Sequence, residues 1–364
     1  MQIYFDNIIF SLQRIGGISV VYYELIKRAL EDNDLDIYFL EEANKNIFRQ
    51  LLNISPNRIL ENPLAKIPVK FQRYLNPNIR ASKGIFHSSY YRTANSPNLL
   101  NVTTVHDFTY EYYRKGIAKT IHSWQKGNAI KNASKIICVS RNTKSDLLKF
   151  YPDTPAEKIE VIYNGVDESY KMLSACSINQ LERLVPFNPK KYTVFVGDRK
   201  SNHKNFRIAV ESCEKTDTPL VLIGGGTITE KEKELFEQLK FKQYKHLSGI
   251  SNEQLNIIYN NALCLLYPSS YEGFGIPVLE AQKAGCPVIS ANNSSISEIA
   301  KDSAILIQDI SSDNFADKID LLKENSTFVE QLIKDGLINS NRFSWDLCYQ
   351  QTKDLYLTLF KENL

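Results

Sequence analysis

The sequence predicts an α/β fold built as two facing Rossmann-like, doubly wound domains with an interdomain cleft. Three observations lead there. Short apolar runs alternate with stretches of helical periodicity from the first residues onward, the pattern of a parallel sheet covered on both faces. The alternation dissolves over residues 164–190, which include Pro186 and Pro189, and restarts at Tyr192. At 364 residues the chain also exceeds one ordinary core, so two domains of roughly 150–200 residues are expected.

In order, Gln2-Ile-Tyr-Phe reads as a first strand and Gly16-Gly17 as the opening of a helix. The apolar face of that helix is Val20, Val21, Tyr23, Leu25, Ile26 and Leu30. Asp36–Leu40, Gly84–Ser88 and Val102–Val105 follow as strands, then a helix from about Lys119 to Ala133. Lys135–Val139 is a strand, Ser140 caps a helix running to Phe150, and Glu160–Tyr163 closes the first half. The second half predicts strand Tyr192–Gly197, helix Phe206–Glu214 and strand Leu220–Ile223, which ends in Gly224-Gly-Gly226. Helices Glu230–Leu239 and Asn252–Asn260, strand Ala262–Tyr267, helix Pro277–Ala284 and strand Pro287–Ser290 come next. A last helix from about Trp345 carries Leu347, Leu355, Leu359 and Phe360 on one stripe. The expected divisions are an N-terminal domain over 1–187, a C-terminal domain over 188–342, and a terminal helix over 343–364 that returns to the first domain.

Composition is that of a soluble globular protein, 43% apolar and 23% charged. The six cysteines, Cys138, Cys176, Cys213, Cys264, Cys286 and Cys348, form no C-x-x-C pair. They read as buried thiols of a reducing compartment, not as a disulfide frame or zinc site. No secretory pattern opens the chain and no apolar run approaches the ~20 residues of a membrane span, so a cytoplasmic protein is expected. The net charge of +3 hides an asymmetry: residues 62–145 hold fourteen Lys/Arg against two acids, Asp107 and Glu111. Lys66, Lys70, Arg73, Arg80, Lys83, Lys115, Lys119, Lys126 and Lys131 are interleaved there with aromatics and aliphatics such as Phe71, Tyr74, Ile117, Ile121 and Trp124. An anionic membrane surface suits this pattern. A solvated basic face is the plain alternative, and nucleic acid is a rival without any recognition motif.

The most informative segment is Glu272-Gly-Phe-Gly-Ile-Pro-Val-Leu-Glu280. It follows an apolar run ending at Pro268, and Pro277 suits the first turn of a helix. Strand, glycine loop and helix start together present backbone N–H groups and a positive dipole end to a phosphate. Glycine lets the anion approach those amides. Glu272 and Glu280 cannot grip phosphate, so they are expected to accept hydrogen bonds from sugar hydroxyls. A diphosphate flanked by two sugars is a nucleotide sugar.

With these residues in view, the chain resembles the retaining glycosyltransferases of family 4 (GT4), which adopt the GT-B fold and build bacterial polysaccharides. The resemblance rests on the E-x7-E pair, on Gly197-Asp-Arg-Lys-Ser-Asn-His-Lys-Asn205, on Asn164-Gly-Val-Asp167 and on Gly16-Gly17. It implies that Arg199 and Lys204 grip the donor diphosphate and stabilise the leaving group. It also implies that Glu272 holds the transferred sugar, Glu280 the ribose, and that the Gly273, Phe274 and Gly275 segment assists. Gly16 and Gly17 then let amides approach the phosphate from the other domain, and backbone ending at Ile250 reads the base. His106, at a strand end beside Asp107, is implied at the acceptor side; it bonds the donor sugar or polarises an acceptor hydroxyl. His87 is left outside the site.

No D-x-D motif or metal-ligand spacing occurs, and the resemblance implies no cofactor and no metal, with the nucleotide-diphosphate sugar as substrate. The reaction implied is hexose transfer with retention onto a growing, lipid-linked glycan, as in O-antigen mannosyltransferases, at the cytosolic face of the inner membrane. GDP-mannose is the expected donor. The alternatives are a UDP-hexose donor or a non-catalytic partner subunit, with a GT-B epimerase or phosphorylase as further enzymatic rivals. A nicotinamide dehydrogenase would need G-x-G-x-x-G after the first strand, which is missing.

Overall fold

A computed structural model describes residues 1–174 and 181–363. The chain forms two compact units, one of Met1–Gly165 with Trp345–Leu364, the other of Val166–Ser344. The division falls between Gly165 and Val166 and not near residue 187. Local contacts explain the earlier position: Val166 bridges to Ser344, its amide donates to the Phe343 carbonyl, and Tyr170 is buried.

The first unit holds a seven-stranded, all-parallel sheet. Its strands are β1 (Gln2–Asp6), β2 (Asp36–Leu40), β3 (Ile59–Leu60), β4 (Gly84–Ser88), β5 (Leu99–Val105), β6 (Lys135–Cys138) and β7 (Ile159–Val161), in the order β3-β2-β1-β4-β5-β6-β7. β1 and β4 lie in direct register, Phe5 beside His87. Gly84 is required by this pairing, since a Cβ there would lie 2.6 Å from the Gln2 carbonyl oxygen. The helix Gly17–Glu31 packs against the final helix, Trp345–Glu362; Arg28 pairs with Asp346 at 2.6 Å, and Tyr349 and Lys353 both reach Asp32.

The second unit repeats the scheme with β8 (Thr193–Val196), β9 (Leu220–Ile223), β10 (Tyr244–Leu247), β11 (Cys264–Tyr267), β12 (Val288–Ala291) and β13 (Ile305–Ile307). The order is β10-β9-β8-β11-β12-β13, again all parallel. Continuous apolar runs such as Leu220–Ile223 and Cys264–Tyr267 are buried along their whole length, as a sheet covered on both faces requires. Strand order reverses between β8 and β11, so the loops leaving their carboxyl ends diverge and open a crevice there.

Three features depart from the sequence expectations. The helix expected from Lys119 begins a turn earlier, at Gly116. Lys126, grouped with the surface bases, is fully buried: its ammonium donates to Glu111 Oε2 at 2.7 Å and to the Asp107 carbonyl at 2.8 Å. β3, β10 and β13 were not anticipated, being edge strands of only two to four residues, nor were the helices Ser312–Glu324 and Ser326–Ser340. Of the cysteines, Cys138, Cys213, Cys264, Cys286 and Cys348 are free and buried, while Cys176 lies outside the described residues. Among the described residues no helix is long and apolar enough to cross a membrane.

Candidate active site

Within the second unit, most of the singled-out residues gather at the β8/β11 switch point. The loop after β8 starts at Gly197, whose φ of +138 suits glycine, and ends at Asn205 in the left-handed region. Asn205 Nδ2 donates to the Pro268 carbonyl at 2.8 Å and to Ser270 Oγ at 2.6 Å, and the Ser270 amide donates to the His203 carbonyl at 2.7 Å. These three bonds tie the loop after β8 to the loop after β11. The result is that Lys204 Nζ lies 2.5 Å from Glu272 Oε1 and 3.3 Å from the Tyr267 hydroxyl, above the Tyr267 ring. Both side chains of the pair retain some exposure, 16% for Lys204 and 12% for Glu272.

The Glu272–Gly275 loop is anchored from β12's far end. Ser294 Oγ accepts from the Glu272 amide at 2.9 Å, and Ser295 Oγ reaches the Glu272 and Phe274 carbonyls at 2.9 Å each. Gly275 then turns the chain into helix Ile276–Lys283 at φ +103, with Pro277 in the first turn and no side chain capping the helix start. A Cβ at Gly275 would sit 2.4 Å from Ile296 Cδ1. No side chain caps this helix start, and Lys204 meets Glu272 at the head of the same loop.

Glu280, one turn into that helix, faces the hydroxyls of Tyr170 and Tyr259, the latter 3.5 Å from Oε2. Burial pushes its carboxyl up to about 7, Asp167 adds to the rise, and the two tyrosines oppose it. Asp167 belongs to the Asn164-Gly-Val-Asp167 element, so that element contributes to the electrostatics around the second carboxylate. Ile250 follows β10 and left-handed Gly249, and is half-buried just ahead of the helix Asn252–Asn261.

Arg199 stands in the loop after β8. Its guanidinium is enclosed: Nε donates to Glu232 Oε1 at 2.6 Å, Nη1 to the Gly224 carbonyl, and Nη2 to the Gly226 carbonyl at 2.9 Å. It braces the Gly224–Gly226 loop, whose three residues all have positive φ. Gly225 leaves room for it, since a Cβ there would meet Nη1 at 2.6 Å. Glu232 was missed in the sequence, although Thr229-x-x-Glu232 is a capping-box pattern and the box is formed.

In the first unit, Gly16 caps helix Gly17–Glu31 with no side-chain cap, and nothing lies within 4 Å of where a Gly17 Cβ would be. His106 follows β5. Its Nε2 is buried and makes no hydrogen bond among the described residues. Burial holds its imidazole down to about 4, Lys126 adds to the fall, and Asp107 opposes it. His106 is therefore a neutral ring at physiological pH with one nitrogen unspent. His87, by contrast, is locked between Tyr22, Thr104 and Tyr356. Among the described residues no three His, Cys, Asp or Glu side chains gather as a metal site would need.

Comparison with known proteins matches residues 178–337 to the model of glycosyl transferases group 1, and residues 15–170 to that of Glycosyltransferase Family 4. The chain is 25% identical over 274 residues to the O-antigen chain mannosyltransferase B of Escherichia coli, covering 71% of this chain and 70% of that protein. It is 22% identical to the O-antigen biosynthesis glycosyltransferase WclY of Escherichia coli, over 96% of both. Among solved structures, HepE of Anabaena in complex with UDP-glucose superposes with a TM-score of 0.76 at 19% identity, over 98% of this chain and 100% of that one. WaaG, a glycosyltransferase involved in lipopolysaccharide biosynthesis, superposes at 0.72 with 14% identity, over 97% and 99%.

Proposed function

The chain belongs to the group 1 and family 4 glycosyltransferases and has their GT-B fold, and from that premise we propose that it is a retaining, metal-independent hexosyltransferase. In this reading it moves mannose from GDP-mannose onto a growing, lipid-linked bacterial polysaccharide at the cytosolic face of a membrane. The observation that carries the reading is the Lys204–Glu272 pair, held at the β8/β11 switch point beside the uncapped helix start at Gly275.

In the proposed reaction the bond from the sugar's anomeric carbon to the diphosphate breaks, and an acceptor hydroxyl forms the new glycosidic bond on the same face. The proton of that hydroxyl passes to the departing diphosphate. Charge accumulates on the leaving group as the bond breaks, so Lys204 and the helix dipole favour the transition state over the ground state. Glu272 holds hydroxyls of the hexose, and Glu280 those of the ribose. Arg199 keeps the Gly224–Gly226 loop in shape from behind. Neutral His106 offers its unspent nitrogen to a sugar or acceptor hydroxyl.

Mannose is favoured by relatives whose names include O-antigen mannosyltransferases. A UDP-hexose donor is the second reading, supported by the UDP-glucose complex of HepE. A thermal-shift screen against GDP-, UDP-, ADP- and dTDP-sugars, followed by transfer of labelled hexose to a lipid-linked acceptor in EDTA, tests the proposal. GDP-mannose should raise the melting temperature most, by mass action, and transfer should survive chelation. Stabilisation by UDP-sugars alone would establish the second reading, and transfer that stops in EDTA would end the metal-free mechanism.

A further inference from the structure

The helix Gly116–Asn132 of the first unit carries Lys126 into the interior, where an ammonium is costly unless its protons are met. Glu111 Oε2 accepts from it at 2.7 Å and the Asp107 carbonyl at 2.8 Å, while the Phe108 ring centroid lies 4.2 Å from Nζ. Glu111 stands on the short helix Thr109–Tyr113, and Ser123 Oγ donates to its other oxygen at 2.9 Å. Lysine and carboxylate would close a buried ion pair by themselves. The bond to the Asp107 carbonyl goes further, because it lands on the residue directly after His106. That residue is held twice: Asp107 Oδ1 accepts from the Thr109 amide at 2.8 Å, and Lys126 fixes the carbonyl. On the other flank Val105 is fully buried at the end of β5. His106 therefore stands between two anchored neighbours, while its own buried Nε2 has no hydrogen-bond partner among the described residues. The backbone on either side, and not a bond from Nε2, decides where the ring stands.

We propose that Lys126 is a positioning residue for His106: anchored on Glu111, it clamps the Asp107 carbonyl and so sets where the imidazole stands. The inference rests on the reading that gives His106 a sugar or acceptor hydroxyl to bond. Electrostatics act in the same direction as geometry. The titratable groups facing His106 are Asp107, Lys126, Tyr22 on helix Gly17–Glu31 and His87 on β4. Burial is the first reason that the ring stays unprotonated; Asp107 opposes it, and the charge on Lys126 adds to it. His87 is itself held down to about 3 by burial and brings no charge at neutral pH, and burial keeps the Tyr22 hydroxyl protonated. Of these groups, Lys126 is the one that both fixes the backbone beside the ring and keeps a proton off it.

Lys126→Met keeps most of the side chain's length and removes its charge. The double variant E111Q/K126M removes the carboxylate as well, leaving no unpaired ion in the core, and carries the test where K126M alone does not fold. NMR of the ring carbons follows the five histidines of the full chain, with His106 identified by its absence in H106N. In both variants the His106 midpoint, about 4 in the parent, should rise by roughly half a unit or more. The kcat for hexose transfer from GDP-mannose or UDP-glucose should fall about tenfold, with the donor KM within about twofold of the parent's. Adding K126M to H106N should slow transfer no further, since nothing is left to position. A lysine that only stabilises the unit would lower the melting temperature and leave the His106 midpoint in place. An unmoved midpoint would overturn the proposal, as would K126M costing H106N the same factor that it costs the parent. The titration needs no donor, so it decides the positioning role whether or not either sugar is transferred. Failure of the underlying reading would show separately, as H106N turning over at the parent's rate.

Discussion

Lys204 and Glu280 show how much a single side chain's surroundings decide. Lys204 directs its ammonium at Glu272 and Tyr267, so its charge is already fixed in place before any diphosphate arrives. Lys204→Ala should lower kcat by about 10²-fold through lost leaving-group stabilisation, with steady-state kinetics as the check. Glu280 behaves differently. The folded chain keeps its proton up to about 7, against 4.5 for an unperturbed carboxyl, because burial penalises the ion. Stability from the protonated form is therefore complete below about pH 4.5 and falls as pH rises through 7. Glu280→Gln should melt a few degrees above the parent at pH 8, and the two should converge near pH 5, as pH-resolved thermal melts would show. The same variant should bind donor less tightly, having exchanged a carboxylate acceptor for an amide. Both residues could be singled out in the sequence because Lys-Asn stands in the loop after a predicted strand and E-x7-E spans a glycine loop and a predicted helix start. The proton affinity of Glu280 could not, since Tyr170 and Tyr259 come from distant segments.

At the scale of elements, the working unit is a pair of loops leaving β8 and β11. Gly275 is its tightest point, combining a φ of +103 with a Cβ position 2.4 Å from Ile296 Cδ1. Gly275→Ala should destabilise the protein by about 1–3 kcal/mol through strain and overpacking, and should weaken donor stabilisation in parallel. Denaturant midpoints together with donor thermal shifts would check it. The glycine loop and the helix start were legible from Gly273, Gly275 and Pro277, whose backbone preferences are local. The clasp made by Asn205, Ser270, Ser294 and Ser295 was not, because serine and asparagine signal turns everywhere and only folding shows which backbone groups they meet. Arg199 is the sharpest case. Its place after β8 was clear, yet its partner, Glu232, lies 33 residues on at the start of another helix.

Over the whole molecule, each unit is a parallel sheet with the strand order that repeated β-α alternation implies, and the basic stretch 62–145 belongs entirely to the first unit. What the sequence determined by itself was the kind of most long elements, the presence of two such sheets, and which candidate residues stand at the carboxyl ends of β8 and β11. The helices Ser312–Glu324 and Ser326–Ser340 were not among those elements. Periodicity, glycine and proline act through a few neighbouring residues, and so they can be read along the chain. Tertiary structure alone decided that the division falls at Gly165 and that Lys126 is interior while Trp124 is not. It alone decided, too, that Arg199 meets Glu232 and the Gly224–Gly226 loop. Those outcomes depend on which remote groups compete for a buried charge or an apolar face, and desolvation is settled only when the whole unit has closed around them.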